Sequence, residues 1–299
     1  RRGGPPPGAG GWRMTLPPEA RMLLEMALAE DVGSGDRTTL WTFPAGTRGE
    51  AAIVAKAPGV IAGMPVCVAA FHAGDPSLEV ESPAADGTAV EPGDVVLRAR
   101  GSAASILTAE RTALNFLQQL SGVATETRRY VRAVEGTGAR VIDTRKTTPG
   151  MRRLEKDAVR AGGGANHRFG LHDMVLIKDN HIAAAGGITA AVRAVHGHNV
   201  ERLRVEVETT TPEEVEEALA AGVDRIMFDN MPTPLLARMV GRVHAAGEGR
   251  PETEASGGIT LETIRAVAET GVDLISVGAL THSAPALDLS LRLRQDRAG

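Results

Sequence analysis

Residues 220–229 read AAGVDRIMFD and residues 269–278 read ETGVDLISVG, so that GVD falls on GVD with Gly222 and Gly271 aligned 49 residues apart. An echo of that length spans two strand–helix units of about 25 residues each, which points to a parallel α/β layer. The same pattern extends in both directions. RVIDTRK (140–146), MVLIK (174–178), LRVEVE (203–208), RIMFD (225–229), PETEASGG (251–258) and LISVG (274–278) are short runs, most of them apolar and ending on polar residues, and each is followed by a helical stretch. A further strand is expected around 163–167, and seven strands favour an open, incomplete barrel over a closed eightfold one. Thr211 followed by Pro212 and Glu214 is a capping box, and Thr260 after the glycine pair is a second expected helix cap.

Upstream of this region the chain changes character. Ile106, Leu107, Leu114 and Leu117 share an apolar side of a helix expected over 105–119, with Glu110 and Arg111 near its edge. Residues 50–101 read as strand-rich, with AAIVAKA, GVIAG, SLEVES and VVLRARG separated by Gly, Pro and Asp. A helix carrying Met22, Leu23, Met26 and Ala27 precedes the turn-rich DVGSGDRTT (31–39). The first thirteen residues, RRGGPPPGAGGWR, are expected to be a disordered tail without the apolar stretch of a secretion signal, with Met14 as the natural start. The expected division is therefore a first domain over 14–123 and a barrel over 124–283.

Composition narrows the function classes. Of 299 residues 42% are hydrophobic and 23% charged, and no window approaches the roughly 18 apolar residues of a membrane span. A globular cytoplasmic enzyme is expected. Lys and Arg total 33 against 37 Asp and Glu, a net charge of −4, and aromatic residues make up 3%. That balance argues against a nucleic-acid partner. Cys67 is the only cysteine, which excludes an intrachain disulfide and a cysteine-based zinc cluster.

The strand ends carry the chemistry. They offer Arg145, Lys146, His167, Arg168, Lys178, Glu208, Asp229, Ser256, Gly257, Gly258 and Gly278. In parallel α/β folds ligands bind at the carboxyl ends of strands. A lone Lys or Arg there is usually a solvated charge, but a series of them gathered on one rim of an acidic protein calls for an anionic ligand. SGGIT and VGA, each leaving a strand toward a helix, suit a phosphate. Glu208 and Asp229, one strand apart, are oxygen donors suited to Mg²⁺ or to sugar hydroxyls. His172, His181 and His282 read as local hydrogen-bonding residues, Gly162–Gly164 lacks GxGxxG spacing, and Cys67 has no basic neighbour that would activate it.

DTRKTTPGMRRLEKDAVRAGGGANHRFGLHDMVLIKDNH (143–181) closely resembles the quinolinate phosphoribosyltransferases, the decarboxylating nicotinate-nucleotide pyrophosphorylases. The likeness extends to AEDVGSGDRTT (29–39), ERTALNFLQQLSGVAT (110–125), VEVET (205–209), FDN (228–230) and SGGI (256–259). The resemblance implies an α/β fold: an N-terminal α/β sandwich, a seven-stranded open α/β barrel of TIM-like type, and a C-terminal helix over 284–299 packing back on the first domain. It also implies a homodimer in which Arg111 reaches the neighbouring subunit's site. The implied substrates are quinolinate and phosphoribosyl pyrophosphate, with Mg²⁺ and no covalently bound cofactor. Arg111, Arg145, His167 and Arg168 would hold the ring carboxylates, with Thr144 among the substrate contacts. Lys146 and Lys178 would face the join of pyridine and sugar phosphate. Glu208 and Asp229 would serve ribose hydroxyls and Mg²⁺, and Ser256, Gly257, Gly258, Val277, Gly278 and Ala279 would bind the 5′-phosphate. Lys146, Lys178, Glu208 and Asp229 are the expected catalytic residues.

Three other readings compete. VESPAADGTAVEPGDVVLRARG (80–101) is similar to the hairpin of biotinyl and lipoyl carriers, but Lys56 in VAKAPGV lacks the acceptor context. Lys178 at a barrel strand end could serve as a Schiff-base amine. A molybdenum-transport-associated sibling shares the fold, but IKDNH with the full basic set favours the quinolinate enzymes.

Overall fold

The computed structural model describes residues 16–295, so the expected tail over 1–13 lies outside the described residues. The chain forms two compact units. The first contains residues up to 126, together with 148–163 and 284 onward, and the second contains 127–147 and 164–283.

The first unit is built on an antiparallel sheet. β1 (Arg48–Ala55), β2 (Gly59–Val60), β3 (Glu79–Glu81), β4 (Ala89–Val90) and β5 (Val95–Ser102) realise the strand-rich region. Ala51, Ile53 and Ala55 alternate inward on β1. One element inside this region is not a strand: Met64–Gly74 is a helix. Gly63 sits at φ 87, which ends the extended run, and Pro65 occupies the first helical turn. Val66, Cys67, Ala69, Ala70 and Phe71 are all buried, so the helix is apolar around much of its circumference and lacks the one-sided period that marks a surface helix.

The expected helix over 105–119 is longer, running from Ala103 to Ala133. Its Ser121 and Thr125 hydroxyls accept from the amides of Ala62 at 3.0 Å and Val60 at 2.9 Å, satisfying donors of the short β2 region. Gly122 lies where a Cβ would come within 2.2 Å of the Pro285 carbonyl oxygen, so the C-terminal segment crosses the helix backbone at this residue.

That segment corrects the expected C-terminal helix. Leu289–Gln295 is a strand, antiparallel to β1 with Ala55 opposite Leu289 and Gly49 opposite Gln295. LSLRLRQ alternates Leu289, Leu291 and Leu293 with Ser290, Arg292 and Arg294, which is strand period and not helix period. The completed sheet runs in the order C-terminal strand, β1, β5, β3.

The second unit is a parallel sheet. β6 (Arg140–Ile142), β7 (Val175–Ile177), β8 (Val205–Thr209), β9 (Arg225–Asp229), β10 (Glu252–Ser256) and β11 (Leu274–Ser276) occupy the six runs read from the sequence. They pair in the order β6-β11-β10-β9-β8-β7. The expected seventh strand contracts to one parallel bridge, Ala165 against Ile142. The pairing is thus the cyclic order of a seven-membered β/α barrel, interrupted between Ala165 and β7. The helix Arg152–Ala161, which follows β6 in sequence, clusters with the first unit, where it meets helix Pro18–Val32. The second unit thus runs between nearly the expected ends, 127 and 283, but leaves 148–163 to the first.

Local signals divide. Thr211 and Glu214 exchange the two capping hydrogen bonds, both at 3.2 Å, ahead of helix Pro212–Ala221. Thr260 does not cap a helix. It opens a turn closed by the Thr263 amide at 3.2 Å, and helix Ile264–Ala268 starts later.

Candidate active site

Parallel strands in register present alternate residues to the same face, so each inward residue at a strand end has inward neighbours two positions earlier. Glu208 and Glu206 share the inner face of β8, Asp229, Met227 and Arg225 that of β9, and Ser256, Glu254 and Glu252 that of β10. The outward residues Ile226, Phe228 and Val207 are fully buried beneath the helices. At the carboxyl ends a cavity of about 630 Å³ opens, within the size range of small-molecule sites.

Thr144, Arg145, Lys146, His167, Arg168, Lys178, Glu208, Asp229, Ser256, Gly257 and Gly258 all line it, so most of the sequence-derived set converges on one space. Leu176, Met227, Asn230, Glu254 and Ser276 complete the wall. Arg111 is not among these residues. It lies on an exposed face of helix Ala103–Ala133, in the part that belongs to the first unit. Val277, Gly278 and Ala279 follow Ser276 in the chain and are not among the wall residues. A Cβ on Gly278 would come 3.2 Å from Lys146 Cδ and 3.1 Å from His282 Nε2, and Thr281 Oγ1 donates to the Lys146 carbonyl at 2.8 Å.

Electrostatics mark the cavity as an anion site. Burial, with Arg145 close by, holds the Arg168 guanidinium below its usual pKa. Holding like charges together in a half-buried space favours an anion between them. Arg168 is oriented by its Nη1 donating to the Met174 carbonyl at 3.1 Å. Lys178, the first residue beyond β7, donates from Nζ to Glu208 Oε2 on the neighbouring strand. Gly257 and Gly258 have φ of 94° and 60°, and leave β10 as a loop that does not enter a helix directly.

His167 has one ring nitrogen hydrogen-bonded to backbone and the other close to two buried carboxylates. Nδ1 accepts from the Arg168 amide at 2.7 Å, which leaves the hydrogen on Nε2, and Nε2 lies 3.1 Å from Glu206 Oε2 and 3.5 Å from Glu254 Oε2. His167, Glu206 and Glu254 hold donor atoms within 4.8 Å of one another, a spacing compatible with a metal ion. The tautomer argues against one, because a protonated Nε2 cannot ligate, and Arg225 already occupies Glu254 Oε2 at 2.9 Å. Burial pushes both glutamates well above the usual carboxylate range, and for Glu254 the nearby Glu206 adds to it. Arg225 continues the network to Glu252 at 3.0 Å. The strands' alternation held the signal for this interior layer: Glu206, Arg225 and Glu254 lie at even steps from Glu208, Asp229 and Ser256.

Asn230 was absent from the sequence-derived set. It follows β9 with φ 52° and lies against Gly257.

Residues 36–121 match the family model described as quinolinate phosphoribosyl transferase, N-terminal domain, and residues 123–292 match the C-terminal domain of the same description. Over 270 residues the chain is 47% identical to a probable nicotinate-nucleotide pyrophosphorylase [carboxylating] of Synechocystis, covering 90% of this chain and 91% of the relative. It is 45% identical to the Bacillus subtilis protein described in the same words, over 91% of this chain and 93% of that one. Among solved structures, that of NadC from Streptococcus pyogenes superposes with a TM-score of 0.89 at 42% identity, covering 94% of this chain and 98% of the other. The nicotinate-nucleotide pyrophosphorylase of Francisella tularensis gives 0.88 at 37% identity, with 93% and 98% covered. Matched in both domains, and closely related to these proteins along nearly its whole length, the chain belongs to the quinolinate phosphoribosyltransferase family.

Proposed function

We propose that the cavity at the barrel's strand ends converts quinolinate and phosphoribosyl pyrophosphate into nicotinate mononucleotide, pyrophosphate and CO₂, a step of NAD biosynthesis. The observation that carries this reading is the convergence of Arg145, Lys146, Arg168 and Lys178 with Glu208 and Asp229 on one cavity. Both substrates are polyanions. Planar guanidinium groups match carboxylates in bidentate fashion, and ammonium groups suit phosphate. Arg145 and Arg168 accordingly take the ring carboxylates, Lys146 and Lys178 the junction with the sugar, and Ser256–Gly258 with the Val277–Ala279 segment the 5′-phosphate. His167, which lines the cavity beside Arg145 and Arg168 and accepts from the Arg168 amide, joins the two arginines at the ring carboxylates.

The ring nitrogen attacks the anomeric carbon as the bond to pyrophosphate breaks, and positive charge develops on the ribose. Glu208 and Asp229 face that carbon's hydroxyl-bearing side, and Lys178 exchanges its Glu208 partner for the incoming anion. The nitrogen, now quaternary, draws the electron pair left at the adjacent ring carbon when CO₂ departs, and that carbon then takes up a proton. No covalent enzyme intermediate is required. Orientation and preorganised charge do most of the work, for which effective molarity contributes roughly 7–11 kcal/mol.

Glu208 and Asp229 would hold Mg²⁺. They are hard oxygen donors on adjacent strands, and two carboxylates with substrate oxygens and water completing the shell is the habit of this ion. When bound, Mg²⁺ supplies charge neutralisation for the departing pyrophosphate.

The working unit in this reading is a homodimer in which Arg111 serves the neighbouring site. Arg111 is exposed on its own helix. In the same unit Met22 and Met26 are 60% and 67% exposed, near Leu23 and Ala27 on the wall of a groove of about 580 Å³ that also includes Phe116. A cytoplasmic location fits the single, buried Cys67. Among the described residues no helix is long and apolar enough to cross a membrane.

The test is release of CO₂ from carboxyl-labelled quinolinate, with and without phosphoribosyl pyrophosphate and Mg²⁺. Release dependent on all components is expected. No release from quinolinate, with nicotinate mononucleotide formed from nicotinate instead, would overturn the assignment.

A further inference from the structure

Asn230 combines four features that no other residue of the cavity shares. Its φ is 52°, and among the described residues Arg202 is the only other non-glycine with positive φ. Its amide donates to the Ser256 carbonyl at 2.9 Å, tying the end of β9 to the end of β10. Its side-chain Nδ2 donates to Asp229 Oδ2 at 2.8 Å. The same side chain fills the space above Gly257, where an added Cβ would lie 2.3 Å from Asn230 Oδ1 and 2.4 Å from Cγ. One amide group therefore touches the carboxylate assigned to the ribose and the glycine assigned to the 5′-phosphate. The left-handed conformation makes this possible: with ordinary φ the side chain would leave the strand end in another direction. Asn is among the few side chains that tolerate that conformation, and such residues cluster at sites where geometry is held against preference.

We propose that Asn230 is a positioning residue for the sugar-phosphate half of the site, a spacer that holds the Asp229 carboxylate and the Gly257 backbone in fixed register. This rests on the reading that Asp229 and Ser256–Gly258 receive phosphoribosyl pyrophosphate. Quinolinate, gripped by Arg145 and Arg168 on the other side of the cavity, is outside its reach. The substrate dependence of the two halves should therefore separate.

The experiment compares Asn230→Gly, Asn230→Asp and Asp229→Asn with the unaltered protein. Asn230→Gly keeps the backbone conformation and removes the amide. Asn230→Asp keeps shape and φ tolerance but loses the donor and adds a like charge beside Asp229. Both are expected to fold with an unchanged thermal midpoint. Each should lose at least tenfold in kcat/KM for phosphoribosyl pyrophosphate, with Asn230→Asp the worse, while quinolinate binding measured by calorimetric titration stays within twofold. A purely structural turn residue would instead leave kinetics intact in Asn230→Gly, which relieves the strain. Loss in Asp229→Asn with kcat/KM within twofold in Asn230→Gly would overturn the spacer role alone. Retained activity in both would overturn it together with the assignment of Asp229 to the sugar. An equal loss of quinolinate affinity would also overturn it, by showing a general collapse of the cavity.

Discussion

His167 Nε2 and Glu206 Oε2 lie 3.1 Å apart in the barrel interior, with Glu206 fully buried and the imidazole nearly so. The contact places the floor of the cavity on a layer of internal charge, in which the Arg225 guanidinium reaches Glu206, Glu252 and Glu254 at 3.9, 3.0 and 2.9 Å, and Arg204 and Arg140 also pair with Glu252. Removing one partner of a buried charge set leaves the others uncompensated. Arg225→Met is therefore expected to cost about 3–5 kcal/mol of folding stability, read from urea unfolding. A loss under about 1 kcal/mol would mean that the layer behaves like a surface pair.

The same layer predicts a pH dependence. Burial and the neighbouring Glu206 raise the Glu254 carboxyl above its ordinary value of 4.5. In the window above that value the native state holds a proton that the unfolded chain has released, so stability falls as pH rises through it. Glu254→Gln removes this contribution. The drop in melting temperature between about pH 5 and about pH 8 should be smaller in the variant than in the unaltered protein, and an identical drop would contradict the assignment.

Arg145→Ala and Lys178→Ala should each leave a folded protein with at least a tenfold loss in kcat/KM, equivalent to about 1.4 kcal/mol of transition-state stabilisation. Steady-state assays of CO₂ release check this. Near-native turnover from either variant would count against the assigned roles.

Sharing of sites between subunits is open to complementation. Arg111→Ala and Arg145→Ala, each strongly impaired alone, should regain about a quarter of normal activity when unfolded and refolded together in equal amounts, because half the dimers are mixed and each mixed dimer has one intact site. No recovery would place Arg111 in its own subunit's site.

Gly122→Ala tests the crossing of the C-terminal segment over the long helix. In an open helix the change would add about 1 kcal/mol of stability. Here the new methyl meets the Pro285 carbonyl oxygen at 2.2 Å, and backbone cannot yield as a side-chain tip can. A net loss of about 1–3 kcal/mol is expected from the overpacking, measured by denaturant unfolding.

The barrel strands were legible because GVDRIMFD, LRVEVE and LISVG combine short apolar runs with polar ends, and the pairing that joins them follows from topology. Convergence of Arg145, Lys146, Arg168 and Lys178 was legible for the same reason, since strand ends of a parallel barrel face one space. Helix Met64–Gly74 was hidden by its own burial, which erases periodicity. The strand Leu289–Gln295 is written in the alternation of LSLRLRQ, a local signal that overrides the helix implied by the family resemblance. Asn230 left no local pattern at all: its importance comes from a backbone angle and from Gly257, a residue distant in sequence.

The strand Leu289–Gln295 also dictates an order of events during synthesis. β1 leaves the ribosome early, but the segment that pairs with it is translated only after every residue of the second unit. At about 5–20 residues per second the interval is on the order of ten seconds. Throughout that time the nascent first unit exposes an open sheet edge, a stretch during which chaperone engagement or pairing with another chain has its best opportunity.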